Sequence, residues 1–224
     1  VGARPSPSTG PSALLSLLDA TRLLPIISVG DVADAVPIAK ALYSGGVRVA
    51  EVVLRNPTAL ETISAIAKAV PELLLGAGTV LTTDQAEEAR CRGASFLVCP
   101  GLDSNLVHWA VAHRMPIIPG VTTASEVARA LSLGLTTLKF FPAAQNGGPE
   151  MIRALAAPYA QVRWLPTGGI GATSFASYLS IPSVIAVGGS WLAPTSTVRE
   201  KDWDRVRELA HEAVTAAIAV KRLG

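Results

Sequence analysis

"TTLKFFP", from Thr136 to Pro142, reads as a strand at every position but one. Its residues are apolar, aromatic or β-branched, and a proline closes the run. A stretch this apolar suits a strand buried on both faces, as strands of parallel sheets are. Lys139 stands in the middle of it. Seven further runs share the character: "LLPIISV" (23–29), "VRVAEVVL" (47–54), "LLLGAGT" (73–79), "FLVCPG" (96–101), "PIIPG" (116–120), "VRWLPTGG" (162–169) and "SVIAVGG" (183–189). Stretches of helical period separate them, among them "DVADAVPIAKALYSGG", which a glycine pair stops, and "TASEVARALSLG". The pattern amounts to eight βα units. It predicts an α/β protein, a (β/α)8 TIM barrel with an extra N-terminal helix near 11–22 and a closing helix over 202–220. An open doubly wound sheet competes, but no GxGxxG follows the first strand, so its dinucleotide-binding form loses support.

The start, "VGARPSPSTGPS", is rich in Pro, Ser and Gly and is expected to be flexible over 1–12, leaving 13–224 as one barrel domain. Half of the 224 residues are hydrophobic and 16% are charged, enough apolar material for a large core. Net charge is +2 and the basic residues are scattered, so no block invites nucleic acid or an anionic membrane surface. No apolar run approaches the roughly 20 residues of a membrane span, and no signal-peptide layout is evident. Cys91 and Cys99 match no zinc or redox spacing and read as free thiols. A soluble, cytoplasmic protein is expected.

Side chains alternate along a strand. Thr137, Lys139 and Phe141 therefore share one face of the sixth strand, and Leu138 and Phe140 share the helix-facing one. On the second strand Val49, Glu51, Val53 and Arg55 share a face in the same way. Charges of both signs thus converge near one barrel mouth, where burying any of them alone costs several kcal/mol. A structural Lys139–Glu51 ion pair is one explanation. Structure alone does not demand such a pair, because apolar replacements are often neutral or stabilising. The last two strands end in Gly168–Gly169 and in Gly188–Gly189–Ser190, where barrels bind phosphate, and Thr79 ends the third strand. A buried lysine beside a carboxylate, an arginine and a phosphate cradle points to imine chemistry, since desolvation beside another cation is what makes an amine nucleophilic at neutral pH.

In order along the chain stand "EVVLR", "GAGTVL", "PGL", "IPG", "LKFFPA", "PTGG" and "GGSW". With these motifs in register, residues 20–195 resemble the 2-keto-3-deoxy-6-phosphogluconate (KDPG) aldolase and 4-hydroxy-2-oxoglutarate aldolase family. The resemblance implies a class I lyase of the Entner-Doudoroff pathway, a homotrimer that needs no metal or other cofactor and takes a small 2-keto acid phosphate. It implies Lys139 as the Schiff-base residue and Glu51 as the general acid/base. Arg55 and Thr79 would hold the pyruvyl carboxylate with help from Thr167. Phe141 would pack on the pyruvyl carbons and Pro100 would line the pocket. Gly168, Gly169, Gly189 and Ser190 would hold the phosphate. Val53 and Ala144 depart from the family pattern, which often has Thr and an acidic residue there. Arg55 favours the phosphogluconate type over the galactonate type. The competing functions are another phosphate-binding barrel enzyme, an epimerase or isomerase, and a non-catalytic assembly protein on the same barrel. His108, His113 and His211 fall on helices, away from strand ends.

Overall fold

A computed structural model describes residues 11–220. The flexible segment expected at the start lies outside the described residues as far as residue 10, and the first helix begins at Pro11. The chain then alternates strand and helix. The first half runs α1 (Pro11–Thr21), β1 (Leu23–Ile27), α2 (Ala35–Ser44), β2 (Val49–Val53), α3 (Ala59–Ala69), β3 (Leu74–Gly78), α4 (Thr83–Cys91) and β4 (Leu97–Val98). The second runs α5 (Ser104–Ala112), β5 (Ile117–Ile118), β6 (Gly120–Val121), α6 (Ala124–Ser132), β7 (Thr137–Phe140), α7 (Gly148–Ala156) and β8 (Arg163–Pro166). It closes with α8 (Phe175–Leu179), β9 (Val187–Gly189), α9 (Thr195–Arg199) and α10 (Trp203–Ala219).

Helix starts follow local chemistry. Thr82 and Asp103 cap α4 and α5 through side-chain oxygens. Thr123 and Glu126 form a reciprocal capping box on α6. Gly45 and Gly46 end α2 as the sequence pattern requires, with Gly46 at φ +104°.

All strand pairs are parallel. They make a six-stranded sheet in the order β5-β4-β3-β2-β1-β9, which forms a half-barrel, and a three-stranded sheet in the order β6-β7-β8. Two parallel bridges, Trp164 with Val184 and Thr167 with Gly188, link the smaller sheet to the β9 side of the larger. The fifth strand, expected as one piece over 116–120, is two pieces in different sheets, broken at Pro119. Proline has no N–H to give to a ladder. Pro119 still accepts a bond from the Lys139 backbone at 2.9 Å. The eighth run is shorter than expected, with only its last three residues in β9.

Two cores follow from the alternation. Leu138 and Phe140 turn outward into the large cluster under the helices, where Phe140 meets Trp164 edge-on. Leu24, Val49, Leu74, Phe96, Leu165 and Ile185 turn inward and meet Leu14 and Leu18 of α1. The extra helix thus stoppers the inner face at the N-terminal ends of the strands. One side-chain step further along, the inner residue becomes Glu51 on β2 and Lys139 on β7. The charges lie directly above an apolar floor.

Candidate active site

Glu51 is fully buried and Lys139 is 3% exposed. β2 carries Glu51 opposite Ile26 on one side and Gly76 on the other. β7 carries Lys139 between Gly120 and Leu165. The Lys139 ammonium sits 4.9 Å from the centre of the Phe141 ring. Both Glu51 oxygens are buried without a hydrogen-bond partner in the protein. Burial pushes the Glu51 carboxyl above the usual carboxylate range, and the nearby Lys139 and Arg55 charges oppose that rise in part. Lys139 is near enough to act on Glu51, yet no nitrogen–oxygen contact within 4.0 Å joins them. The structural ion pair is therefore not formed.

Space for the carboxyl comes from the next strand. A Cβ on Gly78 would stand 2.5 Å from Glu51 Oε2 and 3.0 Å from Val53 Cγ1. Val53, one of the two departures from the family pattern, therefore packs beside the acid rather than offering it a hydroxyl. Cys99, at the end of β4, feels the same charges. Burial pushes its thiol up to about 12, with Lys139 pulling down and Glu51 and Asp103 pushing up. It is a packing residue. Pro100 lies beside it, and its carbonyl blocks any Cβ at Gly120, the register partner of Lys139.

Above this level the surface opens into a cleft of about 350 Å³. Arg55, Phe141, Thr167, Gly168, Gly169, Gly189 and Ser190 all line it. Lys139 and Glu51 are not part of the lining. Lys139 meets it through Phe141. Thr79 is tied to it through Arg55, whose Nε donates to Thr79 Oγ1 at 3.3 Å. That bond leaves the terminal guanidinium nitrogens available. Thr79 has φ +58°, a strained left-handed conformation for a β-branched residue. Thr167 Oγ1 is buried with no protein partner. Gly168 and Gly169 have φ +100° and +71°, a turn that other residues adopt only with strain. Among the described residues no three His, Cys, Asp or Glu side chains converge as a metal site.

Sequence reasoning missed four lining residues: Ile26, Pro142, Gln145 and Ile170. The alternation on β1 could have found Ile26, which pairs with Glu51. Nothing periodic marks Gln145. Ala144 is not remote from the site, since its N–H donates to Gly168 O at 3.0 Å. The three histidines stay away from the cleft: His108 and His211 lie on α5 and α10, and His113 stacks on Trp109.

Comparison with known proteins supplies the relationship that this geometry invites. A family model described as "KDPG and KHG aldolase" matches residues 14–209. The chain belongs to the KDPG and KHG aldolase family. Within it, the KHG/KDPG aldolase of Escherichia coli (strain K12) is 46% identical over 90% of this chain and 95% of its own length. A crystal structure of the 2-keto-3-deoxy-6-phosphogluconate aldolase of Zymomonas mobilis ZM4 with 3-phosphoglycerate has a TM-score of 0.86 at 42% identity. It covers 92% of this chain and 95% of that one. A structure of KDPG aldolase from Legionella pneumophila, with pyruvate captured at low pH as a covalent carbinolamine intermediate, has the same TM-score at 36% identity. It covers 89% of this chain and 97% of that one.

Proposed function

We propose that this member of the KDPG and KHG aldolase family is a class I aldolase, a lyase. It cleaves 2-keto-3-deoxy-6-phosphogluconate to pyruvate and glyceraldehyde 3-phosphate, and 4-hydroxy-2-oxoglutarate to pyruvate and glyoxylate. The observation that carries this is a buried amine and a buried carboxyl held near one another without an ion pair between them. A pair kept only for stability would make that bond. The covalent pyruvate carbinolamine of the Legionella relative supports the chemistry.

In this reading neutral Lys139 Nζ adds to the C2 ketone, and loss of water gives an iminium. Glu51 takes the C4 hydroxyl proton through water. The C3–C4 electrons flow into the iminium and the aldehyde departs. Glu51 returns a proton to C3 of the enamine, and water hydrolyses the iminium to release pyruvate and the amine. A carboxyl raised by burial suits both directions of that proton traffic better than an ordinary one. Arg55 grips the pyruvyl carboxylate with its free guanidinium nitrogens while Thr79 and Thr167 supply hydroxyls. Phe141 covers the pyruvyl carbons and Pro100 walls the pocket. Gly168, Gly169, Gly189 and Ser190 cradle the phosphate.

The same reading extends to a single domain over 13–224 in which the two sheets close as one (β/α)8 ring, with β5 and β6 counted as one strand. The β8–β9 bridges and the single residue between β5 and β6 support it. A homotrimer, a cytoplasmic location and a place in the Entner-Doudoroff pathway rest on the family relationship. No helix among the described residues is long and apolar enough to cross a membrane.

Pyruvate release from 2-keto-3-deoxy-6-phosphogluconate tests the reading, with Lys139→Met as control. Wild type should cleave. The variant should lose nearly all turnover and keep its circular dichroism spectrum. Wild-type turnover in the variant would overturn the assignment.

A further inference from the structure

Beyond Phe140 the chain turns, but the turn stays bonded to the segment that follows β8. Ala143 N–H donates to Thr167 O at 2.8 Å, and Ala144 N–H donates to Gly168 O at 3.0 Å. These bonds tie the turn that follows β7 to the turn that follows β8, just past the last register pair, Phe140 opposite Pro166. The next residue of the turn is Gln145. It lies over Gly169: a Cβ built there would be 3.2 Å from Gln145 Nε2 and 3.4 Å from Oε1. The amide therefore sits against the left-handed turn and lines the cleft together with Arg55 and Ser190. Its neighbour Asn146 spends its own amide on the Pro142 carbonyl at 2.7 Å, which pins the loop. Gln145 makes no such bond. A neutral donor on a pinned backbone, lining a cleft and unspent on the protein, is available to a ligand.

We propose that Gln145 is a specificity-determining residue that donates from its side-chain amide to a phosphoryl oxygen of the substrate. The inference rests on the reading of the Gly168–Gly169 and Gly189–Ser190 turns as the phosphate cradle. Glycine N–H groups and a serine give that cradle directional donors. Gln145 adds one that can follow the phosphate as it moves, because its side chain is exposed and rotatable.

The test compares kcat/KM for 2-keto-3-deoxy-6-phosphogluconate with that for the same sugar acid without phosphate, in wild type, Gln145→Ala and Gln145→Glu. Loss of one charge-assisted donor at an exposed site should lower the ratio about five- to tenfold in Gln145→Ala. Gln145→Glu keeps the size but puts a carboxylate against the phosphate. It should lower the ratio further, by an excess that shrinks as salt is added. Equal ratios in all three enzymes, with wild type still preferring the phosphorylated substrate, would overturn the role of Gln145 alone. So would a loss that falls equally on both substrates, the mark of a merely structural residue. A wild type with no preference for phosphate would overturn the cradle and this inference with it.

Discussion

Gly78→Ala tests how the carboxyl is held. The added Cβ would stand 2.5 Å from Glu51 Oε2 and 2.9 Å from its Cδ, whereas ordinary contact starts near 3.4 Å. The oxygen must therefore retreat by about 0.9 Å. The same Cβ would stand 3.0 Å from Val53 Cγ1, a second neighbour that must give by a few tenths of an ångström. Displacing a catalytic group by about 1 Å costs on the order of a hundredfold in rate. The substitution should lower kcat by about that factor with little change in KM. In stability two effects compete. Alanine in place of strand glycine gains about 0.5–1 kcal/mol of backbone entropy. Overpacking costs about 1–3 kcal/mol, so a small net loss is expected. The assay is steady-state cleavage, repeated in a Glu51→Ala background. If the effect passes through Glu51, the double variant should be no slower than Glu51→Ala alone. Wild-type kcat in Gly78→Ala, or an equal loss without Glu51, would refute the reasoning.

Glu51→Gln should abolish proton transfer and stabilise the fold in a pH-dependent way. Below the ordinary carboxylate value of 4.5 both folded and unfolded Glu51 are protonated, so the two proteins should melt alike. Above it the unfolded chain ionises while burial holds the folded carboxyl back, and wild type loses stability that the variant keeps. The gap in Tm should therefore widen from acid toward neutral pH; a constant or narrowing gap would count against a raised Glu51. Cys99, with its thiol pushed up to about 12, should resist iodoacetamide in the native enzyme, while exposed Cys91 reacts first. Cys99→Ala should keep most of its activity, as kcat measurements would show, because the thiol serves packing.

The charged residues of the site were legible for a physical reason. A lysine or glutamate inside a run of period two stands out against its neighbours, and the alternation states which way it points. The glycine pairs were legible because they end strands where phosphate sites form. What escaped notice depends on cross-strand register. Gly78 is an ordinary strand glycine until β2 is laid beside β3. Gln145 is an ordinary loop residue until the turn after β7 is seen bonded to the glycine turn after β8. The left-handed Thr79 leaves no trace in the sequence, since a β-branched residue is the last type expected at φ +58°. Arg22, which the strand and helix patterns leave unmarked, is buried and donates to the carbonyls of Leu179, Ala217 and Val220. It ties the ends of α8 and α10 to the start of β1. The break at Pro119 was visible as a proline, but the apolar residues around it outweighed that sign.

Reduction with borohydride in the presence of pyruvate, followed by peptide mass spectrometry, goes most directly to the covalent step. Lys139 should carry a carboxyethyl group, and the other lysines should carry none. An unmodified Lys139 in a folded enzyme that still cleaves its substrate would contradict the mechanism.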